Sequence, residues 1–218
     1  MVSCHKVEDQ ATGVGDAVII AKKLGPQTFY GLALYAYTYS SFKSVQAVSS
    51  AEPGKTYDLK AYQSYKTNFT YETPDSSYSI TPPVAATIHF TASFENGVTG
   101  TFQDELSDQV LAPAVIDTCK YNSTSHVLKL TWEKVTDAFS YSINIFDDTK
   151  QVFGSVELSS AIQSFSISAN GYGWLPGFTP EIGKTYIVRL NAFLFEPQND
   201  AYNVQAISVT DSLAVWGN

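Results

Sequence analysis

Apolar and polar side chains alternate with a period of two along most of this 218-residue chain, a pattern that fits half-buried strands and excludes helices as the main element. Ile88, Phe90, Ala92 and Phe94 alternate with Thr87, His89, Thr91 and Ser93, and Tyr57, Leu59 and Ala61 with Asp58, Lys60 and Tyr62. Asn96-Gly97 then separates the first of these runs from residues 98–102. That dipeptide tolerates the positive φ angles of a primed turn, so it predicts a tight hairpin. Residues 16–22 and 29–39 read as two longer strands joined through Gly25-Pro26, with shorter strands near 42–48 and 68–72. The first half then holds about seven strands, the number an antiparallel sandwich uses. The one helical candidate is a turn over residues 104–110. The expected class is all-β.

A boundary is expected at Leu111-Ala112-Pro113, where an acidic, polar run ends and a proline opens a new strand. Beyond it, Leu128, Leu130 and Trp132 share one strand face, then Tyr141, Ile143 and Ile145, and Phe165 and Ile167 start a later strand. Gly183-Lys184-Thr185-Tyr186 leads into Val188, Leu190 and Ala192. This series resembles the fibronectin type III module, with a Trp late in its second strand, a Tyr early in its third and a turn-then-Tyr opening its sixth. The resemblance runs from Pro113 to the C-terminus and implies a tyrosine corner at Tyr186, a buried ring whose hydroxyl bonds to upstream backbone. It departs from the module in the long loop 169–180. The first half looks immunoglobulin-like in a looser sense. The chain therefore reads as two tandem antiparallel β-sandwich domains, residues 16–111 and 112–218, behind a polar tether at residues 1–15.

Thirteen Lys+Arg against 21 Asp+Glu give a formal charge of −8, and each half carries −4. Neither has the basic stripe that displaces counterions from nucleic acid, so no nucleic-acid partner is expected. No apolar run approaches the roughly 18 residues of a membrane helix. Two cysteines, Cys4 and Cys119, are too few for a disulfide framework.

Met1-Val2-Ser3-Cys4, followed by the polar stretch 5–13, resembles the end of a bacterial lipoprotein signal, in which the Cys is lipidated. The hydrophobic region of such a signal is missing from this chain, so it would lie upstream or have been trimmed. Lys6, Glu8 and Asp9 resemble the charged residues that follow the Cys in outer-surface lipoproteins of Bacteroidetes. The layout as a whole is similar to surface lipoproteins of gut Bacteroidetes. It implies an outer-membrane surface location, attachment to the membrane through a lipid on Cys4 alone, and a binding role. Asp211-Ser212-Leu213 also fits the O-glycosylation sequon used there.

Catalysis needs convergent groups, and none is suggested by position. His5, His89 and His126 fall in the tether, on an outward strand face and at a strand start. The acidic pairs Asp147-Asp148 and Asp104-Glu105 read as a polar turn and a solvated domain end, and no metal or cofactor is expected. Gly13 and Gly15 precede a strand, not a helix, so they form no phosphate loop.

What remains is an aromatic excess, 14 Tyr, 13 Phe and 3 Trp. Tyr172, Trp174 and Phe178 occupy a Gly/Pro-rich loop where rings could stack on sugar or anchor a protein; Trp174 could instead cap its own domain or fill the joint. Tyr62, Tyr65, Phe69, Tyr71 and Tyr78 cluster in the first half. The candidate ligand-binding residues are thus Tyr172, Trp174, Phe178, Tyr62, Tyr65 and Tyr71. The expected function is a non-catalytic surface binding or adhesion module for a glycan or a protein ligand. The alternatives are a structural spacer or assembly subunit of an envelope complex, and a small hydrolase or auxiliary unit.

Overall fold

The computed structural model describes residues 12–196 and 203–217, and among them the protein is all-β, with fifteen strands and one 3-10 turn at Asp75–Ser77. By their contacts these residues form two compact units: 12–18, 32–74 and 84–108 make the first, and the others make the second.

The first unit is built from the start of β1 (Val14–Leu24), the end of β2 (Gln27–Tyr37), and β3 (Phe42–Ser49), β4 (Thr56–Tyr62), β5 (Tyr65–Glu72), β6 (Ala86–Phe94) and β7 (Thr99–Leu106). The order is β1-β2-β5-β4, then β3-β6-β7, with β3 also paired to β4 from Val45↔Leu59 to Val48↔Thr56. Alternation sends Phe42, Phe90 and Phe94 into the core, where Phe42 packs on Phe69, Phe94 and Phe102, and Phe90 stacks on Phe102 at 5.2 Å. Each fully buried Phe contributes about 1.5–3 kcal/mol relative to exposure. The start of the chain lies directly on these rings. A Cβ on Gly13 would come within 2.4 Å of Phe102, and one on Gly15 within 2.4 Å of Phe90. The two glycines are there for close approach of backbone to ring.

The second unit contains β8 (Ile116–Asn122), β9 (Val127–Trp132), β10 (Ser140–Asp147), β11 (Lys150–Gly154), β12 (Leu158–Ser159), β13 (Ser164–Ser168), β14 (Thr185–Phe195) and β15 (Val204–Val215). One sheet runs β13-β9-β8 and the other β11-β10-β14-β15, with β12 on β10. Trp132 meets Tyr141 edge-on at 5.4 Å, and the Tyr141 hydroxyl accepts the Val135 N–H at 2.9 Å. Tyr186 is buried and its hydroxyl accepts the Glu181 N–H at 3.0 Å, which is the tyrosine corner the sequence suggested.

Beside β15, the second half of β1 pairs in parallel, from Ile19↔Ala206 to Lys22↔Val209. That half-strand, the start of β2 and residues 75–83 belong by contact to the second unit, where Tyr30 and Ser79 exchange backbone bonds of 2.7 and 2.9 Å. Contacts thus divide the chain discontinuously, whereas the sequence reading divided it in chain order at residues 111/112. Eleven-residue strands are longer than one sandwich needs.

Two local expectations are corrected. Residues 104–106 continue β7, and no helix forms at 104–110. Ile88↔Asp104 pairing sets Asp104 on the inner side, where its carboxylate accepts the Ala17 N–H at 2.8 Å; it is not a solvated domain end. At Asn96-Gly97 only Gly97 takes a positive φ (85°), so the turn is not the primed one expected. The turn with two successive positive angles lies between β4 and β5, at Gln63 (48°) and Ser64 (71°).

Candidate functional site

In the second unit, the loop after β13 is tied to strand β11. The Gly154 N–H donates to the Gly173 carbonyl and the Leu175 N–H to the Val152 carbonyl, each at 2.9 Å, so the loop continues the ladder past an edge strand. Gly173 has φ 105°, and a Cβ there would sit 2.5 Å from the Gly154 oxygen. The Trp174 indole N–H donates to the Ser168 carbonyl at 2.9 Å. Its ring stacks on Phe178 at 5.5 Å and meets Phe153 and Trp216 edge-on at 5.0 and 5.5 Å. Phe178 in turn meets Tyr186, and Trp216 meets Tyr121. Trp174 and Phe178 therefore form part of an aromatic cap packed on their own unit. Tyr172, between Gly171 and Gly173, is fully exposed.

The first-unit candidates separate in the same way. Tyr71 is half-buried, its ring 5.0 Å from Tyr57 and edge-on to it. The Tyr57 hydroxyl donates to Glu52 Oε2 at 2.6 Å; that bond and Lys55 hold the Glu52 carboxyl below its usual range. Tyr78, which by contact belongs to the second unit, is buried, with the Lys22 ammonium 4.4 Å from its ring centre. Phe69 is core. Tyr62 and Tyr65 face each other across the end of the β4–β5 hairpin and remain 50% and 59% exposed.

Two tyrosines absent from the sequence reading join this group. Leu34 and Ala36 are fully buried, so Tyr35 and Tyr37 lie on the opposite face of β2, on which Ala33 is also fully buried and Tyr35 half-buried. Their rings lie 6.3 Å apart and nearly parallel, at 11°. Tyr37 keeps 40% of its surface exposed, while burial, followed by the nearby Asp16 charge, pushes its hydroxyl up to about 12. Tyr39, just after β2, is fully exposed. The signal that could have found Tyr35 and Tyr37 is the alternation itself: Leu34 and Ala36 are the inward set.

The remaining polar candidates are engaged in structure. Asp147 pairs with Lys184 at 2.7 Å, which raises the lysine's proton affinity. Asp211 takes both Arg189 Nε and Nη2 at 2.8 Å, and burial pushes the Cys119 thiol up, against a smaller opposing effect of its hydrogen bond with Ser212. Burial also raises Asp104 above the ordinary carboxyl range, and an Asp16 carboxylate oxygen lies within 4.8 Å of one of Asp104. His89 is exposed on β6, opposite Gln103, and His126 sits in the β8–β9 turn. Cys4 and the tether through residue 11 lie outside the described residues.

No known protein-family model matches the chain, and no curated protein matches it. Among solved structures, one described as giving structural insight into host cell surface retention of a 1.5-MDa bacterial ice-binding adhesin aligns at 10% identity and a TM-score of 0.28, covering 94% of this chain and 64% of that one. The BSP domain of a biofilm-associated protein aligns at 8% identity and a TM-score of 0.28, covering 96% of this chain and 52% of that one. The chain spans less than two thirds of either structure's length, and likenesses at that score carry no functional argument.

Proposed function

We propose that this protein is a non-catalytic binding or adhesion module of the cell surface, held there by a lipid on Cys4, and that its ligand is a glycan. The domain division that goes with this reading is an immunoglobulin-like sandwich over 16–111 and a fibronectin type III-like sandwich over 112–218, in chain order. The observation that carries the reading is Tyr172, a fully exposed ring at the tip of a loop whose backbone is bonded to β11 and whose next side chain but one, Trp174, is locked in an aromatic cap. A large ring presented on a rigid support loses little entropy on binding, which is how aromatic anchors function. The charged groups that could otherwise perform chemistry, such as Asp147, Lys184, Arg189 and Asp211, are committed to each other.

The test is a printed array of neutral, sialylated and sulfated glycans probed with the full chain and with Tyr172→Ala. Binding to a glycan class that Tyr172→Ala weakens by about tenfold or more supports the reading. An array without signal overturns the glycan ligand. Mass spectrometry of the membrane-fractionated protein tests the anchor, and an unmodified Cys4 in a water-soluble product removes it.

A further inference from the structure

The two ends of the first unit differ in charge and in the rings they expose. One end is formed by the connections 38–41, 63–64 and 95–98, which close on one another. The Thr38 N–H donates to the Thr67 carbonyl at 3.0 Å, the Glu95 N–H donates to the Ser41 carbonyl at 2.9 Å, and the Lys66 ammonium pairs with Glu95 at 2.7 Å. With their flanking residues, 37–43, 60–68 and 94–99, these connections carry Lys43, Lys60 and Lys66 against one carboxylate, Glu95. All three lysines are exposed, in a chain whose net charge is −8. Tyr39, Tyr62 and Tyr65 are exposed beside them, the last two paired across the positive-φ turn Gln63-Ser64. At the other end the Ser50 N–H donates to the Thr87 carbonyl and the Thr87 hydroxyl to Glu105. There Glu52 and Glu105 outnumber Lys55, and the nearby rings of Tyr57 and Tyr71 are buried and half-buried.

The chain enters the unit at the lysine-bearing end. The Thr38 hydroxyl, next to Tyr39, donates to the Thr12 carbonyl at 2.7 Å. Cys4 stands eight residues before Thr12, a stretch that spans at most about 28 Å. The end that a lipid on Cys4 brings to a bilayer is thus the one with the lysines and the exposed rings. Lysine ammonium groups are drawn to anionic headgroups, and the attraction falls off within a Debye length, so carboxylates elsewhere on the chain do not cancel it. Tyrosine suits the same boundary, with an apolar ring and a polar hydroxyl. The place of Thr12 is what favours a bilayer over a soluble polyanion. We infer that this end of the first unit docks on an anionic lipid surface, with Tyr39, Tyr62 and Tyr65 at the headgroup level and Lys43, Lys60 and Lys66 toward lipid phosphate. The inference takes its orientation from the Cys4-anchor reading and adds to that anchor a second membrane contact, separate from Tyr172.

The experiment is flotation of the full, unlipidated chain with vesicles of phosphatidylglycerol and phosphatidylcholine in equal parts, and of phosphatidylcholine alone, at low and at high salt. Variants are Lys43→Gln/Lys60→Gln/Lys66→Gln, Tyr39→Ser/Tyr62→Ser/Tyr65→Ser, and Lys120→Gln/Lys129→Gln/Lys150→Gln. The last makes the same change in net charge on exposed lysines of the second unit. Unchanged melting midpoints verify folding, and the salt dependence of the parent needs no variant. The expected result is partition to the anionic vesicles at least about tenfold above the neutral ones, weakened by high salt. The first variant should lose that preference, the second should lower it about threefold or more, and the third should keep it. Partition that ignores lipid charge or salt, or that both lysine variants reduce equally, overturns the inference, as does a tyrosine variant that floats like the parent. An acidic glycan bound through Lys43, Lys60 and Lys66, with no flotation, overturns the lipid assignment. Lysine-dependent flotation with an unmodified Cys4 removes the anchor alone, and a lipidated Cys4 with no flotation of the unlipidated chain overturns the inference alone.

Discussion

The aromatic residues of the two units have opposite fates. In the second unit Trp174 and Phe178 stand on a loop rich in Gly and Pro, yet they turn back onto Phe153, Tyr186 and Trp216. In the first, Tyr35 and Tyr37 stand in a regular strand on the face opposite Leu34 and Ala36, with Tyr35 half-buried and Tyr37 40% exposed. Lying on a loop did not mean being available, and lying in a strand did not mean being core. What decides is whether neighbouring backbone leaves a hydrophobic surface to cover: the β11 edge has the Phe153 ring beside it, whereas the β2–β5–β4 face already has its core on the other side.

The sharpest way to break this comparison is Trp174→Ala. If the ring is structural, the variant loses three ring contacts and one indole hydrogen bond, and denaturant unfolding should report a loss of about 3 kcal/mol. The Tyr35→Thr/Tyr37→Thr double variant, which removes two partly buried rings rather than a core one, should lose less, about 1–2 kcal/mol. Equal losses in the two would mean that the units do not differ in this respect.

Gly173→Ala probes the same loop through its backbone. The new Cβ would meet the Gly154 oxygen and adopt a φ that L residues avoid, so a loss of about 2 kcal/mol is expected from strain alone. Gly177→Ala is the contrast, since its positive φ comes with open space around the Cβ; it should lose about 1 kcal/mol. Urea midpoints that rank the two in reverse would remove the loop-to-edge bonding from the explanation.

Much of the fold was legible because burial follows alternation. The run from Thr87 to Phe94 reads directly onto β6, and the Tyr186 corner follows from a turn-then-Tyr pattern whose physics is local. The β4–β5 turn was not legible, since Gln63 and Ser64 carry no preference for positive φ and are held there by strand pairing on both sides. The parallel pairing of β1 with β15 was equally hidden, because it joins residues 19–22 to 206–209 with no local signal. Gly13 and Gly15 were recognised only as not being a phosphate loop; their partners, Phe102 and Phe90, lie some 80 positions away in sequence on the order of a long-range contact. At the candidate site, Tyr62 and Tyr65 were singled out because an inward set of Tyr57, Leu59 and Ala61 leaves rings of that cluster on the other side, and both are exposed at the end of the β4–β5 hairpin. Tyr35 and Tyr37 were missed because a strand of mostly apolar residues reads as core on both faces.

A smaller effect separates Tyr37 from an ordinary solvated ring. Tyr37 is raised from 10.0 to about 12, first by burial of its hydroxyl and then by Asp16. A folded-state value above the unfolded one means that the neutral hydroxyl favours folding. The contribution is complete below pH 10 and is lost as pH rises from 10 toward 12. Alkaline melting curves of the parent should therefore fall more steeply over that window than those of Tyr37→Phe, which has no proton to lose. Identical curves would show that the hydroxyl is solvated like any other and that Tyr37 is not held against Asp16.

The smallest effect is the most discriminating. Tyr172 touches nothing that its removal would leave open, so Tyr172→Ala should change unfolding free energy by no more than about 0.5 kcal/mol. Its neighbour but one, Trp174, should cost several times that, although both rings sit in one short loop of one sequence character. A measurable loss at Tyr172 would place it in the cap with Trp174 and Phe178 and strip the loop of its only solvent-facing ring among the three. A silent Tyr172 beside a costly Trp174 would divide the loop into a support and a tip, which is the arrangement a binding anchor requires and a purely structural cap does not.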